Sequence, residues 1–213
     1  MIGLVTLRRE LVGLVLLLAA TLDQASAMTL DGVTMPDSMT VQGQVLQLNG
    51  MGLRSFTILH VHGYVAGLYA PRMAHSAQAI LDMPGLKLLR VQYLHAAGAG
   101  RVRDEIQEGH RANCAAGCPE ADEVAFRQLL ETIHPVKPGD TNTYIYGPLD
   151  VQVLFNDRSL ATIRSADFSR RMLDCLIGAH PPSKPLRDGL LGGSIEEQAF
   201  NAAGPAPGSA QAR

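Results

Sequence analysis

The chain of 213 residues carries 18 Lys and Arg against 20 Asp and Glu, a net charge of −2, and has no Trp and only five Tyr and five Phe. That length suits one domain with a proper core and is short for two; the charge balance supplies no basic field for a nucleic-acid partner. With so little aromatic volume, the core must be built from Leu, Val, Ile, Met and Ala, which leaves room to enclose something small and apolar.

The first 27 residues read as an export signal. Arg8 and Arg9 form a short basic start, residues 11–22 are apolar, and Ala25-Ser26-Ala27 offers a small-residue cleavage site. The apolar run is shorter than the roughly 20 residues needed to span a bilayer, so no stable membrane span is expected after cleavage. Met28 follows the cut, so there is no lipid-accepting Cys, and Glu10-Leu11 after the arginines makes a poor twin-arginine match. The expectation is a bacterial periplasmic protein with one domain over residues 28–193. The three cysteines are an odd number for an oxidising compartment. Cys114 and Cys118 either bridge across a helix end or sit as two small residues in a loop. No second Cys or His pair has zinc spacing.

In the mature chain, residues 39–48 read as a hairpin turning at Gln42-Gly43. Asn49-Gly50 breaks it, and Gly50 and Gly52 open a loop with Arg54 at the head of the next extended run. Residues 61–69 alternate as a strand, with His62, Tyr64, Ala66 and Leu68 on one face and Val61, Gly63, Val65, Gly67 and Tyr69 on the other. Two glycines within a strand mark a bulge or a group lying close against the backbone. Pro71 stops the strand. A short helix over 76–83 with Ser76 as N-cap, a buried strand over 86–94, and helices over 100–113 and 119–133 follow. Strands are predicted at 141–146, 151–155 and 159–163. Asp167 can cap a helix with Phe168, Met172, Cys175 and Leu176 on its apolar side, ended by Gly178. Ser183 starts a last short helix, and from Gly192 the Gly, Ala, Pro, Ser and Gln composition predicts a disordered tail over 194–213. Strands, helices, strands and helices in that order favour an antiparallel α+β domain.

Gly52-Leu53-Arg54, the extended segment ending Gly67-Leu68-Tyr69, Ala166-Asp167-Phe168, Leu176-Ile177-Gly178 and Gly189-Leu190-Leu191-Gly192 together resemble the bacterial chalcone isomerase-like family over nearly the whole mature chain. The resemblance implies an open-faced β-sandwich, a large antiparallel sheet covered by a layer of helices with a ligand cleft between them. It places Arg54 in the cleft, where a guanidinium fork suits a carboxylate or an enolate-like oxygen. It places Tyr64 where the isomerases carry a threonine and the fatty-acid-binding members a tyrosine, and Cys175 where the isomerases have a pocket hydroxyl. Residues 95–103 lack the isomerase tyrosine, and the isomerase asparagine falls near Glu105, so the proton-handling group for cyclising a chalcone has no evident replacement.

The leading expectation is therefore a non-catalytic, cofactor-free binder of a fatty acid or similar amphipathic carboxylate. An intramolecular lyase, with Arg54 stabilising a developing oxyanion, and an envelope protein-interaction domain are the alternatives. Read from the residues alone, without the resemblance, Arg54 is better taken as a strand-end cation paired with a surface acid. Glu105, Glu108 and His110 read as the solvated side of a helix. His60 and His62 share a face, and two ligands are too few for a metal.

Overall fold

A computed structural model describes residues 26–56 and 61–193. The chain upstream of Ser26, the tail from residue 194 and His60 lie outside them. Two short strands, β1 (Ala27–Leu30) and β2 (Val33–Pro36), pair as a hairpin around Asp31-Gly32, both at positive φ. The sequence reading had no strands here. Seven more strands form one sheet in chain order: β3 (Ser38–Val41), β4 (Gln44–Phe56), β5 (Val61–Ala70), β6 (Lys87–Tyr93), β7 (Thr141–Tyr146), β8 (Asp150–Phe155) and β9 (Arg158–Arg164). Every neighbouring pair is antiparallel. Helices α1 (Ala77–Leu81), α2 (Ala99–Asn113) and α3 (Glu120–Glu131) are inserted between strands, and α4 (Ala166–Ile177) and α5 (Lys184–Leu190) follow β9.

The sheet buries both faces against different partners. On one, Ala66, Leu68, Leu89, Val91, Tyr144 and Val153 meet apolar residues of the helices. On the other, Leu46, Leu48, Met51, Leu53, Val65 and Tyr69 meet Leu30, Val33 and Met35 of the β1–β2 hairpin. Alternating side chains allow one strand to feed two cores. The result is the expected α+β architecture, a large antiparallel sheet with its helices on one side.

Three local expectations are corrected. Gly50 and Gly52 do not open a loop, and Asn49-Gly50 does not end a strand: both glycines lie inside β4, which runs through. A Cβ on Gly50 would fall on the Gly189 carbonyl oxygen, and one on Gly52 on that of Leu186, so α5 rests directly on bare strand backbone. Asn49 is the extra residue of a bulge between Leu48 and Gly50. Its buried amide donates to the Leu190 carbonyl at 2.7 Å and accepts from the Ala74 N–H at 2.7 Å. The N-cap of α4 is Ser165, whose hydroxyl accepts from the Phe168 N–H, and not Asp167, which lies in the first turn. Ser76 and Ser183 cap α1 and α5 in the expected way.

The third correction concerns the faces of β5. Arg54 pairs with Tyr64 but Ser55 pairs with His62, which leaves Gly63 as the extra residue of a second bulge. The alternation breaks there, and His62 parts company with Tyr64. His62 hydrogen-bonds Asp31 in the hairpin turn at 2.7 Å, whereas Tyr64 packs with the helix-side core. Gly67 answers the other reading of a strand glycine, because a Cβ there would meet Met35 Sδ of the hairpin.

Candidate functional site: a cavity between sheet and helices

The helix-side core is not solid. A cavity of about 390 Å³ lies between the sheet and α2, α3 and α4. Along α2 its wall is formed by Val102, Glu105, Ile106 and Gly109, the i, i+3, i+4, i+7 stripe of a helix facing inward. Wall residues on α2 run from Arg101 to His110, about 13 Å at 1.5 Å per residue. Phe126 and Leu129 of α3 and Phe168, Met172 and Cys175 of α4 enclose the apolar side.

Polar groups gather toward the start of α2. Arg54 and Tyr64, directly paired across β4 and β5, share the helix-side face. Arg54 Nε donates to Glu105 Oε1 at 2.9 Å and its Nη1 to the Ser55 carbonyl at 3.1 Å; its guanidinium stands 4.9 Å from the Phe56 ring centroid. Tyr64 meets Tyr93 edge-on at 5.9 Å between centroids. Burial, and then the Glu105 charge, hold the Tyr64 phenol well above the usual tyrosine range. Beneath them Asn142, buried on β7, donates to Tyr93 Oη at 3.0 Å and to Tyr144 Oη at 3.4 Å. Burial pushes Tyr144 up to about 12 and Tyr93 higher still. All three phenols are neutral hydrogen-bonding groups at physiological pH.

Of the three site residues expected from sequence, Tyr64 and Cys175 line the cavity, while Arg54 stands behind Glu105 rather than on the cavity wall. Cys175 is the free cysteine, its thiol pushed up to about 11 chiefly by burial. It is a protonated apolar wall atom and no nucleophile near neutrality. Arg171 also reaches the cavity, tied by its Nε to the buried Asp122 carboxylate of α3.

Sequence reasoning misplaced Glu105 and His110. Both line the cavity and neither belongs to a solvated helix face. His110 stacks flat on Phe126, centroids 3.7 Å apart, and its Nε2 meets Glu123 Oε1 at 3.0 Å. The stripe that begins at Val102 and Ile106 held the signal, since Glu105 and Gly109 complete it. Tyr93, Tyr144 and Arg101 had no such marker. His110, Cys114 and Glu123 approach one another closely enough to surround a cation, but Cys114 is joined to Cys118 as a disulfide and offers no thiolate.

Nearly the whole described region corresponds to a known family. The chalcone isomerase-like family model matches residues 27–192. No curated protein matches the sequence. Among solved structures, a fatty-acid binding protein of Arabidopsis thaliana superposes with a TM-score of 0.64 at 18% identity, covering 82% of this chain and 100% of that one; at that identity the likeness is one of fold. With a match over nearly all of its described residues, the chain belongs to the chalcone isomerase-like family.

Proposed function

We propose that the protein binds a fatty acid or similar amphipathic carboxylate without catalysis, its tail in the cavity and its head beside Tyr64 and the Arg54–Glu105 pair. The observation that carries this reading is the cavity itself: a largely apolar wall that includes Val102, Ile106, Phe126, Leu129, Phe168 and Met172, with Tyr64, Arg101 and the Arg54–Glu105 pair at one end. The other charged or imidazole groups on the helix walls, His110 and Arg171, are held by Glu123 and Asp122. A cavity of 150 Å³ holds a benzene ring, so about 390 Å³ has room for on the order of 15 carbons. At about 0.8 kcal/mol per buried methylene, such a tail supplies on the order of 10 kcal/mol before association costs, more than any head-group contact. The Arabidopsis neighbour of the same fold is named for fatty-acid binding, which agrees with this ligand class.

The signal-like stretch over residues 1–27 supports export to the periplasm, and the Cys114–Cys118 disulfide suits an oxidising compartment. No helix among the described residues is long and apolar enough to cross a membrane.

The test is native mass spectrometry of the purified protein, followed by titration of delipidated protein with saturated acids of graded length. Co-purifying lipid acids and saturable binding are expected. Failure to bind any saturated acid overturns the reading, and turnover in a chalcone absorbance assay overturns its non-catalytic part.

A further inference from the structure

The guanidinium of Arg54 already has its carboxylate. Glu105 sits 2.9 Å from it, and both side chains are mostly shielded from water, at 16% and 21% exposed. A ligand carboxylate taking that place would exchange one ion pair for another and leave Glu105 unpaired beside the Tyr64 phenol. Such an exchange gains no net charge attraction and adds a desolvated carboxylate. The pair presents the cavity with a neutral wall.

A different cation stands at the same end with no carboxylate partner among the described residues. Arg101, in the first turn of α2, lines the cavity, and no carboxylate among the described residues pairs with it. Its guanidinium lies 5.2 Å from the centroid of the same Phe56 ring that Arg54 approaches at 4.9 Å, so Phe56 has a cation from each residue beside it. A cation in the first turn is opposed by the helix dipole, and α2 carries no acid there to offset it. Among the described residues, two arginines and one glutamate leave this end of the cavity one positive charge in excess, and that charge is on Arg101. We propose that Arg101, and not Arg54, is the residue that receives the carboxylate of the bound ligand, with Glu105 serving as the internal counter-ion of Arg54. This rests on the reading of the cavity as an acyl-chain site and specifies how that site selects an acid over a neutral lipid.

The experiment titrates delipidated full-length mature protein with dodecanoic acid and with 1-dodecanol, which share a tail and differ in head-group charge. Arg101→Gln should weaken dodecanoic acid by about tenfold to a hundredfold, the range of one hydrogen bond to a charged group, and leave dodecanol within about twofold. Arg101→Lys should recover part of the acid affinity. Glu105→Gln releases Arg54 and should strengthen the acid more than the alcohol. The wild-type acid affinity should fall with added salt, and Arg101→Gln should flatten that dependence. Unchanged acid binding in Arg101→Gln, or equal loss of acid and alcohol, overturns the assignment while the cavity reading stands. Unchanged or weakened acid binding in Glu105→Gln overturns the counter-ion role. If the wild type binds neither ligand, the acyl-chain site itself is wrong and the assignment falls with it.

Discussion

Replacing Gly109 by leucine separates what the cavity contributes to binding from what it takes from stability. Gly109 lies on the inward stripe of α2 with Val102, Glu105 and Ile106, and a Cβ built on it meets no atom within 4 Å. Its removal ends the helix-interior penalty of glycine, about 0.8–1.0 kcal/mol against a good helix former, and the new side chain lies against apolar wall. Stability should therefore rise by about 1 kcal/mol, a shift in Tm of roughly 2–4 °C for a domain of this size. The leucine side chain meanwhile takes the space of about four ligand carbons. At about 0.8 kcal/mol per methylene, an acid that fills the wild-type cavity should lose about 3 kcal/mol, more than a hundredfold in Kd. An acid about four carbons shorter should bind nearly as before. Thermal melts and competition titrations across a chain-length series measure both effects. A lower Tm would mean that Gly109 does not face free space, and undiminished binding of the longest acids would mean that the tail lies elsewhere.

Four further outcomes follow from particular contacts. Gly52→Ala drives a methyl group into the Leu186 carbonyl and should cost about 2–4 kcal/mol in urea denaturation as α5 lifts off β4; a loss below about 0.5 kcal/mol would refute the close seating. Asp122→Ala strands Arg171 at the cavity wall. The acid is 1% exposed and the arginine 34%, so the loss should fall somewhat below the 3–5 kcal/mol of a fully buried pair, at about 2–3 kcal/mol, and Asp122→Ala/Arg171→Met should recover much of it. Tyr146→Phe removes a buried hydroxyl that has no hydrogen-bond partner among the described residues and should raise stability by about 1 kcal/mol; a fall would mean the hydroxyl is bonded in solution. Burial holds Tyr69 and Tyr144 at about 12 in the folded state. A pKa raised by folding stabilises fully below the unfolded value of about 10 and is lost above it, so each should cost about 1.4 kcal/mol per pH unit between about 10 and 12. A urea midpoint flat from pH 9 to 11.5 would contradict this.

Most of the scaffold was legible because its signals are local. Gln42-Gly43 names a hairpin turn, Ser76 and Ser183 name helix starts, and the stripe through Phe126 and Leu129 names a buried helix face. What was not legible depends on long-range contact. The β1–β2 hairpin carries its turn signal in Asp31-Gly32, but only the sheet's second apolar face makes those strands necessary. Glu105 looks like any helix glutamate until Arg54, 51 residues earlier, is brought within 2.9 Å of it. Asn142 looks like an interruption in a strand until Tyr93 and Tyr144 supply its hydrogen bonds. Arg101 differs from the nearby Arg103 only in what the fold sets beside it.

The two bulges decide which residues the cavity can use. In β4, Leu46 and Leu48 face the hairpin, and strict alternation would send Arg54, of the same parity, to that side as well. The extra residue at Asn49 reverses the count, so Met51 and Leu53 face the hairpin and Arg54 turns toward the helices. In β5 the extra residue at Gly63 does the converse for His62, sending it to Asp31 while Tyr64 stays on the cavity side. Neither bulge is free, because each leaves a residue out of the ladder. Asn49 offsets that loss with its two side-chain hydrogen bonds to Leu190 and Ala74. The carbonyl of Gly63 is taken by the Leu94 N–H at 2.9 Å. The same devices that interrupt the sheet thus bring an arginine and a tyrosine onto one face beside Glu105, and they fasten that arrangement to α5 and to the strand end that leads into α2. The polar end of the cavity is a consequence of strand parity, and it would be lost to a one-residue deletion that left every side chain around the cavity unchanged.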